Sequence, residues 1–179
     1  MNFRFPRLLM ILLLFRALWG TLRGDESPEE GLNRWKSVVR AQFPEVTQLS
    51  APDLAAWQAD TNRPQPILLD VRTPSEFRVS RLAGARQVDP DASAAQVRKQ
   101  VGTNDVPLVV YCSVGWRSSA MAKRLSQAGL TNVVNLEGSI FGWANEDRPL
   151  ECDSGSTHRV HPYNQTFGKL LKPGRRADP

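Results

Sequence analysis

Short unbroken apolar runs alternate along this chain with stretches of helical period. Ile67-Leu68-Leu69-Asp70-Val71 and Pro107-Leu108-Val109-Val110-Tyr111 lack the polar alternation of a half-exposed strand, the pattern of strands buried on both faces. Asn132-Val133-Val134-Asn135-Leu136 is a third such run, and Val46-Thr47-Gln48-Leu49 and Ala85-Arg86-Gln87-Val88 read as shorter strands. Ser27-Pro28-Glu29-Glu30 is a capping box with proline at the first helical position, and Leu32, Trp35, Val38 and Val39 follow at helical spacing until Phe43-Pro44. Ser50 opens a second helix through Leu54, Ala55 and Trp57, with a loop at Asn62-Arg63-Pro64-Gln65-Pro66. Thr73-Pro74-Ser75-Glu76 repeats the capping box and predicts a short helical turn, and Ala92 to Val101 is helical up to Gly102. Ser118 to Ala128 predicts a helix capped by Ser118 and closed by Gly129, and Gly138 to Asn145 a last one carrying Phe141 and Trp143. Strands alternating with helices predict an α/β fold, a doubly wound parallel sheet flanked by helices on both faces. Beyond Glu151 the pattern loosens. His158 to Asn164 is read as a short edge strand or an arm across the domain, and Lys172 to Pro179 as a frayed tail.

Composition adds that this is a globular chain large enough for a real core: 179 residues, 41% hydrophobic and 23% charged. The net charge of +5 belongs to the two ends. Arg4, Arg7, Arg16 and Arg23 stand in the acid-free first 24 residues, and Lys169, Lys172, Arg175 and Arg176 in the last dozen. The region between is close to neutral, which argues against a nucleic-acid surface. Arg4 and Arg7 precede Leu8-Leu9-Met10-Ile11-Leu12-Leu13-Leu14-Phe15, a positive flank before a short apolar run, the signature of a secretory signal or an N-terminal anchor. The run is shorter than a bilayer span of about 20 apolar residues, and Leu18-Trp19-Gly20 makes a poor cleavage site. The expectation is export to a periplasmic or secreted location, or membrane association through this segment; the alternative is a mis-assigned start or a buried amphipathic helix in a cytoplasmic protein. The chain therefore divides into 1–24, a signal-like or anchoring segment; 25–45, a linker and N-terminal helix; 46–150, the α/β domain; and 151–179, a C-terminal arm and tail.

The chemistry concentrates in Tyr111-Cys112-Ser113-Val114-Gly115-Trp116-Arg117-Ser118. Cys112 ends a buried strand on a tight loop that runs into a helix N-terminus. Loop N–H groups and the helix dipole favour a negative charge there, so the thiol should ionise more easily than a free one. In parallel sheets, chemistry gathers at such carboxyl strand ends. Gly115 lets the loop turn where a side chain would intrude. Arg117 either orients an anionic donor or fixes the loop. Trp116 either shapes the acceptor surface or packs. Asp70 lies at a neighbouring strand end, where it could bind loop N–H groups but reads first as a structural bond, and Arg72 and Glu76 read as a scaffold ion pair. Cys112 and Cys152 are too few for a disulfide framework, and Cys152 reads as a spare surface thiol before a resolving one. His158 and His161 lack further ligands in sequence, so no metal site and no cofactor is called. Asn164-Gln165-Thr166 is a glycosylation sequon only in a eukaryotic secretory setting.

Three motifs together resemble a single rhodanese domain, a sulfurtransferase module. They are Leu68-Leu69-Asp70-Val71-Arg72-Thr73-Pro74-Ser75-Glu76-Phe77 with Leu82-Ala83-Gly84-Ala85; Cys112 to Ser118; and Leu136-Glu137-Gly138 with Trp143. The resemblance spans roughly residues 46–150. It departs where the family often has histidine-isoleucine, here Arg81-Leu82, and where it usually has a double glycine, here Gly138-Ser139. It implies a rhodanese-like fold in which Cys112 takes a sulfane sulfur from thiosulfate or another donor as a persulfide. The loop from Ser113 to Ser118 would hold that persulfide, with Asp70 and Arg72 as possible support. The sulfur then passes to a thiol or cyanide; a protein can serve as donor or acceptor. The alternatives are a sulfur-carrying or partner-binding module without turnover, and a phosphatase or arsenate reductase. Phosphatase-like relatives place one residue more between cysteine and arginine than the four that separate Cys112 from Arg117, and the shorter ring suits a single sulfur atom.

Overall fold

The computed structural model describes residues 26–102 and 106–178. The expectations for residues 1–24 lie outside the described residues, and no described helix is long and apolar enough to cross a membrane. Five strands form one parallel sheet: β1 (Gln48–Leu49), β2 (Ile67–Asp70), β3 (Arg86–Gln87), β4 (Leu108–Tyr111) and β5 (Val133–Leu136), in the order β1-β5-β4-β2-β3. The central strands β2 and β4 pair Leu68 with Val109 and Leu69 with Val110. Successive side chains leave opposite faces of a strand, so each apolar run feeds two cores at once. Leu68, Val109 and Leu136 join one; Leu69, Val110 and Val133 join the other.

Helices α1 (Pro28–Gln42), α2 (Ala51–Ala59), α3 (Pro74–Val79), α4 (Ala94–Val101), α5 (Trp116–Gln127) and α6 (Ser139–Asn145) cover the sheet. Both predicted capping boxes are formed, Ser27 with Glu30 and Thr73 with Glu76, and Ser93 makes a third with Gln96. Leu54 and Trp57 of α2 and Ile140 and Phe141 of α6 pack on one face; Val97 of α4 and Met121 and Leu125 of α5 pack on the other. α1 crosses between the two, with Leu32 in the first core and Val39 in the second.

The C-terminal region departs most from expectation. Strands β6 (Leu150–Cys152) and β7 (Gly155–Thr157) form an antiparallel hairpin, followed by the arm 158–164 and the short helix α7 (Gln165–Gly168). The tail is not frayed through residue 177. Val160 donates to the Arg175 carbonyl at 2.7 Å and accepts from Ala177 at 2.9 Å, while Asn145 donates to the Leu170 carbonyl and accepts from Lys172. Leu171 is buried in the first core. A leucine so placed contributes about 2–5 kcal/mol relative to alanine. The apolar pair Leu170-Leu171 and the backbone bonds of Val160 outweigh the polar composition around them.

Candidate active site

Cys112 follows β4 directly and is 1% exposed. Its sulfur accepts from the Gly115 N–H at 3.2 Å and from the Ser118 hydroxyl at 3.4 Å. Gly115, not Ser118, is the N-cap of α5, with φ +104. That left-handed backbone favours glycine, and a Cβ there would sit 3.4 Å from the Asn135 amide nitrogen. Released from capping, the Ser118 hydroxyl is free to point at the sulfur. The backbone N–H of Cys112 donates to the Ser139 hydroxyl at 3.1 Å, which in turn donates to the Leu136 carbonyl at 3.2 Å. Ser139 holds a positive φ of +52. The residue standing where a second glycine is usual thus keeps the glycine's conformation and adds a hydroxyl that pins the start of the loop. Ile140 and Phe141 complete the clamp by donating to the carbonyls of Cys112 and Ser113.

Arg117 and Glu76 form the second half of the site. The guanidinium donates to the two carboxylate oxygens at 2.8 and 2.9 Å and to the Ser113 hydroxyl at 3.0 Å. Ser113 donates to the same carboxylate at 3.1 Å. Glu76 is 2% exposed and also closes the capping box of α3, accepting from the Thr73 N–H at 2.9 Å. Burial alone would raise its pKa, but Arg117 and Thr73 outweigh burial and pull the carboxyl down to about 2. Burial likewise works against charge on Arg117, and Glu76 and the Cys112 charge reverse that, holding the guanidinium above its ordinary value. For Cys112, burial pushes the thiol up; the Arg117 charge, the Ser118 hydroxyl and N–H and the Gly115 N–H more than compensate, so the thiol lies below its ordinary value. A lowered thiol among convergent donors has the chemistry of an activated sulfur nucleophile.

The structure brings Cys112, Ser113, Gly115, Arg117 and Ser118 together; Val114 is buried in the first core and Trp116 walls the approach. One pairing is corrected. Glu76 partners Arg117, not Arg72, because α3 carries it across to the cysteine loop. Asp70 makes a structural bond rather than reaching for loop N–H groups: its carboxylate takes the Arg72 N–H, Nε and Nη2, at 2.6–3.1 Å, with both side chains fully buried. Arg72 also donates to the Ser80 carbonyl at 2.6 Å, so this pair ties β2 to the end of α3. Cys152 is half-buried on β6, its sulfur 3.2 Å from the Ser154 hydroxyl. Among the described residues no cluster of His, Cys, Asp or Glu could hold a metal ion.

A cavity of about 210 Å³ opens above the sulfur. Cys112 and Arg117 lie on it, and Trp35, Trp116, Tyr163 and Phe167 line it. Trp116 packs edge-on against Phe43 at 5.3 Å and also lines the cavity. Trp35, Tyr163 and Phe167 were not legible as site residues. Trp35 belonged to an ordinary amphipathic pattern, and the arm that carries the other two has no periodicity.

The Rhodanese-like domain family matches residues 50–146. A sulfurtransferase of Allochromatium vinosum is 30% identical over 110 residues, covering 62% of this chain and 99% of its own length. Thiosulfate sulfurtransferase GlpE of Tolumonas auensis is 31% identical over 80 residues, 45% of this chain and 74% of its own. The crystal structure of a thiosulfate sulfurtransferase from Pseudomonas aeruginosa shares the fold, with a TM-score of 0.58 at 22% identity over 81% of this chain and 27% of that one. Sulfurtransfer is the activity these relatives have in common by name. With the sheet order, the cysteine loop and the match over more than half its length in agreement, the chain belongs to the rhodanese-like domain family.

Proposed function

We propose that the protein is a sulfurtransferase in which the Cys112 thiolate takes a sulfane sulfur from thiosulfate or a related donor and passes it to a thiol or cyanide. The observation that carries this reading is the ring around the sulfur: Gly115 N–H at 3.2 Å and Ser118 hydroxyl at 3.4 Å, at the N-terminus of α5. In the first half-reaction the thiolate attacks the outer sulfur of the donor. The old S–S bond breaks, its electron pair leaves with the oxidised fragment, and the new sulfur sits as an anion among those donors. In the second, the acceptor's nucleophile attacks that outer sulfur and Cys112 departs as the thiolate again. The loop supports this over phosphoryl or arsenate chemistry, since the guanidinium that would grip a tetrahedral oxyanion is engaged by Glu76.

The test is intact mass after incubation with thiosulfate and other sulfane-sulfur donors. The expected result is the gain of one sulfur atom in the wild type, absent in Cys112→Ser and released by cyanide or a thiol. No gain from any donor would end this reading. Export or membrane attachment through residues 1–24 is part of the proposal, supported by the arginine-flanked apolar run. The mass of the mature N-terminus from fractionated cells checks it.

A further inference from the structure

The family match stops at residues 50 and 146, but the site does not. Trp35 stands on α1, and Tyr163, Asn164 and Phe167 on the C-terminal arm and α7; all four line the cavity over Cys112. The rings form one connected cluster. Trp35 meets Phe167 edge-on at 5.2 Å and Trp116 at 6.0 Å, and Tyr163 meets Phe167 edge-on at 5.5 Å. Tyr163 is held in a left-handed turn, its N–H donating to His161 Nδ1 at 3.0 Å, and Asn164 caps α7 through the Phe167 N–H at 2.9 Å. These local bonds place aromatic side chains at the mouth of a nucleophile's pocket, with Tyr163 49% exposed there.

Charge points the same way. Arg117 is the one cationic side chain among the described residues lining the cavity, and Glu76 already engages it through two bonds. An incoming donor meets a guanidinium shared with that carboxylate and the partial positive charge of a helix N-terminus, on the order of half a unit, a setting that suits one negative charge better than two. Volume sets the scale. An apolar cavity of about 150 Å³ accommodates a benzene ring; this one, at about 210 Å³, admits one ring and the reacting sulfur.

We propose that the sulfur donor is organic: a sulfane sulfur carried on a flat apolar body of about one ring, with a single negative charge at its sulfur end. The inference rests on the sulfurtransfer reading and names its substrate class. A thiosulfonate, R–SO2–S⁻, is a probe of that class. The Cys112 thiolate attacks its terminal sulfur, a Cys112 S–S bond forms, the bond to the sulfonyl sulfur breaks, and the electron pair leaves with the sulfinate. No proton, oxidant or reductant enters.

The experiment measures rates of persulfide formation on the full chain with benzenethiosulfonate, methanethiosulfonate and thiosulfate, each divided by its rate with a free small thiolate. The two thiosulfonates share charge and reacting group and differ by the ring. Benzenethiosulfonate is expected to lead methanethiosulfonate by about tenfold or more, mostly in half-saturating concentration. Phe167→Ala should shrink that lead about tenfold, and Phe167→Leu, which keeps apolar volume, should shrink it less. Equal normalised rates for the two thiosulfonates, or a lead untouched by both Phe167→Ala and Tyr163→Ala, would overturn this inference while leaving sulfurtransfer standing. Loading by none of the three would overturn both.

Discussion

Glu76→Gln isolates the charge that anchors the cysteine loop. The substitution keeps the shape of the side chain and an oxygen that can still serve the α3 capping box, in which glutamine functions as well as glutamate. What it removes is the ionised partner of Arg117, held at 2.8 and 2.9 Å. Glutamine is thus a stand-in for the protonated acid, and linkage supplies the size of the effect. The carboxyl titrates at about 2 in the folded protein against an ordinary 4.5. Those roughly 2.5 units correspond to about 3.4 kcal/mol at neutral pH. Arg117 is 24% exposed, so water screens part of this, and about 2–3 kcal/mol is expected. The sign is that of a depressed acid: the stabilisation is fully present above the unfolded value and is lost as pH falls through the folded one. By the same relation it drops to about 1 kcal/mol at pH 3. Urea unfolding of both proteins at pH 7 and pH 3 reads the difference. Equal stability at pH 7, or a gap that does not narrow at pH 3, would refute the idea that a buried ion pair fastens this loop.

Two further outcomes follow from the same geometry. The rate of Cys112 alkylation should reach half its plateau at a pH below the ordinary thiol value of about 8.5, and Arg117→Met should move that midpoint upward, as a pH series with a small neutral alkylating agent will show. An unmoved midpoint would remove Arg117 from the activation of the thiol. Gly115→Ala meets only ordinary contacts at its new Cβ, so its cost is that of a side chain at φ +104, about 1–3 kcal/mol by denaturant unfolding, together with slower sulfur loading as the N–H turns from the sulfur. Wild-type stability would show that the left-handed turn is not required.

Much of this molecule is local physics that a linear sequence carries in full. The strands β2, β4 and β5 are legible because burial on both faces demands unbroken apolar runs. The starts of α1, α2 and α3 are legible because a cap is a contact three residues long, as Ser27, Ser50 and Thr73 show. The proposed nucleophile is legible for the same reason: Cys112, Gly115 and Ser118 lie within seven residues of chain, and strand-loop-helix order alone aims the helix N-terminus at the sulfur. Tertiary structure decided the pairings that span the chain. Which acid would take Arg117 depended on where α3 sets Glu76 relative to a loop 37 residues beyond it. That Ser139 would pin the Cys112 N–H from 27 residues away depended on β5 lying beside β4. Trp35 and Phe167 meet over the sulfur only because α1 and the C-terminal arm fold back onto one end of the sheet. A sequence states what each residue can do with its neighbours in the chain; partners distant along the chain are chosen by packing, and here packing chose the residues that surround the Cys112 sulfur.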